Sequence, residues 1–251
     1  MRGAANMKTK LFTVGESNPK TGKSAKLGYL TFVLHFAPWD VSGYQACPVE
    51  TALDCHVPCL NLAGRGGIFK KGELSNAIQA ARVRKTVFFF ENRAEFMVAL
   101  YKEILAGIKY AQKMGLIPVF RLNGTSDIPW EKIRFSIEGQ EYRNIMAAFP
   151  DVQFYDYTKI PGRVTPPNYS LTFSRSARNE LNVIKSMARG DNVAVVFDHS
   201  RPLPGEFLGR PVIDGDDHDL RFLDVPGAIV GLKAKGPARR DVSGFVVRGA
   251  V

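Results

Sequence analysis

Residues 169–198 read YSLTFSRSARNELNVIKSMARGDNVAVVFD, two apolar runs separated by an amphipathic stretch. The runs 169–174 and 192–198 are typical of buried strands. The stretch between them predicts a helix from Ser176 to Arg189 that ends at Gly190. A strand, a helix and a second strand in about 30 residues predict two parallel strands joined by a covering helix.

The same alternation continues on both sides of this unit. We predict helices over 74–90, from Asn92 to Gly115 and around Tyr142–Phe149, and strands over 117–122, 152–157 and in the later stretches PVIDGD and GAIVGLKAKG. Such units predict an α/β fold of parallel β/α repeats, arranged as a partial or complete β/α barrel.

The first 72 residues depart from this pattern. Two extended runs between Lys8 and Pro38, LFTVGES and LGYLTFVLHFAP, predict an N-terminal β-hairpin. Residues 39–72 form a long irregular loop that carries all the cysteines. We therefore predict a single β/α domain over 1–251, with a hairpin in 1–38, a cysteine loop in 39–72 and β/α units in 73–251.

Composition excludes several classes of protein. The 251 residues are 45% hydrophobic and 23% charged, which excludes a disordered, collagenous or coiled-coil chain. No apolar run approaches the ~20 residues of a membrane helix, and no secretory leader is visible, so we expect no membrane partner and a cytoplasmic location. A formal net charge of +10 favours polyanionic partners, including nucleic acid.

The cysteine loop is the strongest chemical signal. Three thiolates within thirteen residues could hold three irons of a 4Fe–4S cluster and leave the fourth iron open. A zinc site would need a fourth protein ligand, and three buried free cysteines are the remaining alternative. The cysteines are Cys47, Cys55 and Cys59, and the histidines that could fold back to a zinc ion are His35, His199 and His218.

Polar residues follow each predicted strand, where active sites form in parallel α/β folds. Short polar side chains after 117–122 could bind a ribose or an amino-acid moiety, and a lysine or aspartate at a strand end could act on a substrate. The backbone of GRGG (64–67) could cradle an anion. The candidate catalytic residues are Lys159, Asp198, Asp214 and Asp216, and the candidate cofactor-binding residues are Asn123, Ser126, Asp127 and Ser174.

The order of these motifs resembles a known family. A Cys-Pro loop with GRG, then RLNGTSD, FYDYTK, LTFS, NVAVVF and VIDGDDHDLR, is similar to the phage family named gene product 88. The resemblance runs from about residue 25 onward and implies a phage-encoded protein in the host cytoplasm. It implies no particular activity.

A looser resemblance suggests a mechanism. An early loop with three cysteines, ahead of β/α units, is similar to radical S-adenosylmethionine enzymes. That resemblance implies that Cys47, Cys55 and Cys59 ligate a 4Fe–4S cluster, and that Asn123, Ser126 and Asp127 contact S-adenosylmethionine. This chain differs from the common pattern, because seven and three residues separate its cysteines and Pro58 precedes the third.

Three functions therefore stay open. The first is an iron–sulfur, radical S-adenosylmethionine-like enzyme acting on a polar small molecule, a nucleotide or nucleic acid. The second is a basic nucleic-acid-binding or nucleic-acid-processing phage protein with structural or zinc-bound cysteines. The third is a phage protein that binds a host protein. The second rests on basic clusters at Arg82–Lys85, Arg175–Arg178 and Arg239–Arg240, with Phe88, Phe89, Phe90, Tyr155 and Tyr157 as aromatic residues that could stack on bases.

Overall fold

A computed structural model describes residues 10–15, 22–48, 55, 58–69 and 75–249. The helices are α1 Ala77–Glu91, α2 Arg93–Lys113 and α3 Glu180–Ala188. The strands are β1 Phe12–Val14, β2 Tyr29–Leu34, β3 Ile117–Arg121, β4 Phe135–Ile137, β5 Gln140–Tyr142, β6 Gln153–Thr158, β7 Tyr169–Ser174, β8 Val193–Phe197, β9 Glu206–Phe207, β10 Arg210–Asp214, β11 Ile229–Lys233 and β12 Val246–Val247.

Ten of these strands form one mostly parallel sheet. Its order is β1-β2-β3-β6-β7-β8-β11-β10-β9, and β4 and β5 form a separate antiparallel pair. The seven central strands, from β2 to β10, are all parallel, whereas β1 and β9 pair antiparallel at the two edges. The predicted α/β class is confirmed.

The tenth strand, β12, pairs with the second half of β8, beyond the residues that pair with β7. β7 pairs with β8 only at Val193 and Ala194, and β12 pairs with it at Val196 and Phe197. In the part of the chain that the structure describes, the strand order ends at β1 and β9, and these two edges do not pair. Closure into a barrel is therefore not confirmed.

The two faces of the sheet are packed differently. The first, here called the helix face, holds an apolar core that includes Phe36, Phe89, Phe96 and Trp130 under α1 and α2. A smaller apolar core, which includes Val183 of α3, lies further along the same face against β7 and β8. The opposite face, here called the second face, is covered at β3 and β6 by Leu220 and Phe222.

Local signals explain where the helices begin and end. The Asn76 side chain accepts a hydrogen bond from the backbone N–H of Gln79 and caps α1. Gly115 has φ of 67°, the left-handed conformation that ends a helix. The helix predicted around Tyr142–Phe149 is wrong, because this segment forms β5 and turns in which the Asn144 side chain accepts from the N–H of Ala147. Within the described ranges, no helix is long and apolar enough to cross a membrane.

Candidate functional site

The carboxyl ends of the parallel strands bring the predicted site residues to one edge of the sheet, here called the carboxyl edge. The register pairs Tyr157 with Thr172 and Ser174 with Ala194, so alternate residues of neighbouring strands share a face. Phe154 packs on the helix face and Tyr155 on the second face. Lys159 follows Tyr157 by two residues, and its ammonium group reaches Ser174 on the neighbouring strand.

The three cysteines lie within electrostatic reach of one another at this edge. Burial raises the pKa of the Cys47 thiol to about 12, and the other two thiols contribute to that rise. Burial also raises the pKa of Cys59, and the nearby Cys55 adds to the effect. The Cys47 Sγ lies 3.9 Å from the carbonyl oxygen of Thr125, in the loop after β3. The loop therefore brings its thiols within electrostatic reach of one another and next to a strand end.

Hydrogen bonds to α1 fix the described end of the cysteine loop. The Arg82 guanidinium donates to the carbonyl oxygen of Asn61 at 2.9 Å, and Gln79 donates to the carbonyl oxygens of Asn61 and Gly66. A side chain on Gly66 would collide with Asn61, so GRGG packs tightly against its own loop. The anion cradle predicted for GRGG stays a prediction. Residues 49–54, 56, 57 and 70–72 of this loop lie outside the described residues.

Lys159 lies beside the thiols. Its positive charge lowers the pKa of Cys59, as does that of Arg82. Its Nζ donates to the hydroxyl of Ser174 at 3.0 Å and lies 5.6 Å from the centre of the Phe245 ring. Two of the predicted site residues, Lys159 and Ser174, are thus in direct contact next to the cysteine loop.

Asp127 is held beneath Lys159 by a buried ion cluster. Its carboxylate accepts from the Thr158 hydroxyl at 2.8 Å and from the backbone N–H of Lys159 at 2.7 Å, and pairs with Arg163 at 3.1 Å. Arg163 also pairs with Glu131 at 2.6 Å. Burial raises the pKa of Asp127, although these contacts oppose that rise. All of these partners are internal, so Asp127 fixes the position of Lys159.

Asn123 and Ser126 also have internal partners. The Asn123 carbonyl oxygen accepts from the Ser126 hydroxyl, the Ile128 N–H and the Trp130 indole, and its amide donates to the carbonyl oxygen of Ile128. Asn123 and Ser126 are both buried. These side chains shape the loop after β3, and the contacts predicted for them with a cofactor stay untested.

The residue at the centre of the next network is Asp156, whose carboxylate is fully buried. It accepts from the N–H of Asn123 at 2.7 Å, from the N–H of Leu122 and from the Tyr169 hydroxyl at 2.9 Å. Burial raises its pKa to about 7, although Arg121 and the Asn123 hydrogen bond oppose that rise. The sequence gives one signal for this network, an aspartate at a buried position inside the strand FYDYT.

Arg121 links this network to the second face. It pairs with Asp219 at 3.0 Å, and Asp219 also accepts from the hydroxyl of Tyr155. Its guanidinium lies 4.9 Å from the centre of the Tyr157 ring. Among the described residues, the buried Tyr157 hydroxyl has no hydrogen-bond partner. Sequence reasoning missed Arg121, because a strand-end arginine is usually solvated.

The other predicted acids lie further along the same edge. Asp198 accepts from the Ser200 hydroxyl at 2.8 Å and pairs with Arg248 at 3.0 Å. Hydrogen bonds from Ser200 lower the pKa of Asp198. Asp214 is exposed and accepts from the backbone N–H of Asp216. Asp198 follows β8 and Asp214 is the last residue of β10, and within the described ranges neither carboxylate contacts Lys159.

The basic clusters predicted from the sequence have different environments. Arg82 contacts Asn61, and Lys85 is buried and donates to the carbonyl oxygen of Leu11 at 3.1 Å. Arg175 is half-buried and donates to backbone carbonyl oxygens. Arg239 and Arg240 are exposed. The aromatic residues proposed for base stacking pack internally: Phe88, Phe89 and Phe90 against α1 and α2, and Tyr155 and Tyr157 on the second face.

The positions of the cysteine, histidine and acidic side chains determine whether the described residues form a metal site. Within the described ranges, no three His, Cys, Asp or Glu side chains form a ready-made metal site. Of the histidines considered for zinc, His35 lies against Gly124, and burial lowers its pKa well below its usual value. His199 lies beside Asp198, and His218 contacts Arg221.

Comparisons with known proteins give a family. A family model described as gene product 88 matches residues 3–249. The searches of curated proteins and of solved structures returned no match. The looser resemblance to radical S-adenosylmethionine enzymes receives no support from these comparisons.

Proposed function

The chain belongs to the gene product 88 family of phage proteins, and we propose that it is an enzyme whose three cysteines hold an iron–sulfur cluster at the carboxyl edge. One observation carries the proposal: Cys47, Cys55 and Cys59 interact electrostatically in the loop that follows β2, the first parallel strand. This places the thiols beside a strand-end lysine, where a substrate of a parallel α/β protein would bind.

The chemistry of the donor set suits a soft metal. Thiolates are the preferred ligands of iron–sulfur clusters, and metal binding displaces the thiol proton. The raised pKa of about 12 keeps the Cys47 thiol protonated when no metal is bound. A cationic metal at this position would favour the thiolate, and its binding would bring the three sulfurs to a common centre.

The surrounding charges also suit such a centre. A cluster with three thiolates carries net negative charge. Arg82 and Lys159 both lower the pKa of Cys59, so both favour negative charge on its sulfur. Arg82 is fixed by Asn61 and Lys159 by Ser174, which keeps both cations in place.

Three protein ligands would leave one iron of a four-iron cluster for an exchangeable ligand. In the enzymes that the cysteine loop resembles, S-adenosylmethionine occupies that position and supplies a radical when reduced. Here Lys159 and Ser174 would hold a polar group of the substrate, and Asp127 would orient Lys159 through its backbone N–H. The unpartnered Tyr157 hydroxyl offers a further hydrogen bond on the second face.

The experiment is metal and sulfide analysis of protein purified without oxygen. We expect about four irons and four sulfides per chain, with broad visible absorption. Cys55→Ala should lose the iron, whereas Leu60→Ala, which changes an exposed residue in the same loop, should keep it. The wild type, but not Cys55→Ala, should then cleave S-adenosylmethionine under reducing conditions.

The alternative function makes a different prediction for the same sample. One zinc per chain and no iron would overturn the cluster proposal and favour a nucleic-acid-binding protein with zinc-bound cysteines. Absence of both metals from freshly purified protein, and from protein reconstituted with iron and sulfide, would also overturn it. Iron that is retained by Cys55→Ala would exclude the cysteine loop as the site.

A further inference from the structure

The segment that begins at the last residue of β11 is strongly basic. Residues 233–248 contain five basic side chains and one acidic side chain. The basic residues are Lys233, Lys235, Arg239, Arg240 and Arg248, and the acidic residue is Asp241. This segment joins β11 to β12, so it lies at the same edge as the thiols and Lys159.

Not all of these charges are available to a ligand. Lys235 pairs with Asp216 at 2.6 Å, and Arg248 pairs with Asp198 at 3.0 Å. The buried Asp241 carboxylate accepts from the Ser243 hydroxyl and from the N–H of Val246, and within the described ranges it forms no ion pair with Arg239 or Arg240.

Arg239 and Arg240 differ from Lys235 and Arg248, which are in ion pairs, and from Lys233, whose ammonium group donates to the carbonyl oxygen of Arg201. Both are exposed, and within the described ranges neither guanidinium has a carboxylate partner. Their backbone is nevertheless fixed, because Arg248 donates to the carbonyl oxygen of Arg239 at 2.6 Å. Two adjacent cationic side chains therefore project from an ordered turn.

This turn contacts the cysteine loop. A Cβ on Gly236 would lie 3.1 Å from the Cα of Ala63, so the turn of 236–240 and the loop of 60–63 are in close contact. Phe245, later in the same segment, has its ring centre 5.6 Å from the Lys159 ammonium group. The turn that carries Arg239 and Arg240 therefore lies next to the cysteine loop, in the same segment as the Phe245 ring that contacts Lys159.

We propose that Arg239 and Arg240 bind the phosphates of a phosphate-ester substrate, either a nucleic-acid strand or a free nucleotide. Guanidinium groups bind phosphate oxygens through paired, charge-assisted hydrogen bonds. The half-buried Phe245 ring offers a surface for one base. The inference names the substrate class of the proposed enzyme, and it rests on that function only for what happens to the substrate after binding.

The test is fluorescence polarisation with a labelled single-stranded oligonucleotide at several salt concentrations. We expect Arg239→Gln/Arg240→Gln to weaken binding about tenfold and to reduce the salt slope by about 1.4, since each lost phosphate contact on a single strand is worth about 0.7. The matched control is Arg134→Gln/Arg143→Gln, which removes two exposed arginines beside β4 and β5. It should bind like the wild type.

Competition separates the two sources of phosphate. Displacement by unlabelled oligonucleotide but not by millimolar nucleoside triphosphate identifies a strand, and displacement by the nucleotide at lower concentration identifies a free nucleotide. The proposal would be overturned if Arg239→Gln/Arg240→Gln and Arg134→Gln/Arg143→Gln weakened oligonucleotide binding equally, or if neither weakened it. So would the absence of measurable binding of either probe to wild-type protein.

Iron analysis of the same samples keeps this inference distinct from the proposed enzyme. We expect Arg239→Gln/Arg240→Gln to keep its iron while losing affinity. Arginine-dependent binding by a protein without iron would leave the phosphate assignment intact and overturn the cluster alone. An iron-containing protein whose binding does not depend on these arginines would leave the cluster proposal intact and overturn the phosphate assignment alone.

Discussion

Two regions of the molecule hold their charged side chains in different environments. Below the carboxyl edge, Asp127, Asp156 and Arg163 are buried, and internal hydrogen bonds and ion pairs hold each of them. At the edge itself, the three thiols lie within electrostatic reach of one another, and Arg239 and Arg240 are exposed without carboxylate partners in the described part. The lower network fixes strand-end geometry, whereas the edge holds charged groups that have no internal ion-pair partner in the described part and that we propose bind a ligand.

The largest loss of stability should come from removing the Asp156 carboxylate, which lies at the centre of the lower network. Asp156→Ala leaves the Tyr169 hydroxyl and the N–H groups of Leu122 and Asn123 without their acceptor. We expect a loss of about 3–5 kcal/mol in the free energy of unfolding, measured in urea. Asp156→Asn, which keeps one acceptor, should lose less. A loss below about 1 kcal/mol for Asp156→Ala would contradict this role.

A somewhat smaller loss should follow removal of the cation from the Asp127 cluster. Arg163→Met leaves two buried carboxylates, those of Asp127 and Glu131, without their guanidinium partner. We expect about 3 kcal/mol of destabilisation at neutral pH. The loss should be smaller at lower pH, because burial raises the pKa of Asp127 and its protonated form needs no cationic partner. Arg134→Met, at an exposed position, should change stability by less than about 0.5 kcal/mol.

The pH dependence of the free energy of unfolding should distinguish the buried network from the carboxyl edge. The pKa of Asp156 is about 7 in the folded protein, above its usual value of 3.8, so the folded state binds this proton more tightly than the unfolded state. Its contribution is fully present below pH 4 and is lost as pH rises through 7. Between pH 5 and 8 this amounts to about 2–3 kcal/mol.

The difference between wild type and Asp156→Asn isolates this contribution. His35, whose pKa is lowered by burial, acts in the opposite direction, because its contribution is present at high pH and lost as pH falls. Urea unfolding of both proteins at pH 5 and pH 8 measures the difference. If wild type and Asp156→Asn change equally over this range, Asp156 does not carry the dependence.

The smallest effect on stability should come from the edge. Ser174→Ala removes only the acceptor of Lys159, which is half-exposed and can turn to water. We expect less than about 1 kcal/mol of destabilisation by thermal unfolding. If the edge binds substrate, the same variant should weaken oligonucleotide or nucleotide binding more than it changes stability. A stability loss as large as that of Arg163→Met would place Ser174 in the lower network instead.

The sequence predicted the secondary structure well where apolar periodicity was strong. YSLTFS became β7 with the predicted limits, and the helices before β3 were found because Asn92 and Gly115 mark their boundary and stop. The error at Tyr142–Phe149 has a physical reason. Ile145, Met146 and Phe149 have helical spacing, but Asn144 donates to the carbonyl oxygen of Glu131 and ties the segment into turns.

The candidate site was predictable in position and less so in role. Strand ends indicated correctly that Lys159 and Ser174 lie at one edge. The internal partners of Asn123 and Asp127 depend on residues far along the chain, such as Arg163, and no local pattern shows such pairings. Likewise, exposed and internal arginines look alike in sequence, so Arg82 and Arg239 could be separated only by the fold.

The pairing of β12 with β8 has a consequence for biosynthesis. Val196 and Phe197 of β8 obtain their neighbours on that side only after Val246 and Val247 have left the ribosome, some fifty residues later in the chain. The turn that carries Arg239 and Arg240 is secured by Arg248, which is translated later still. A nascent chain halted before residue 246 would therefore hold most of the sheet, but it would lack both β12 and the Arg248 contact that secures the turn of Arg239 and Arg240.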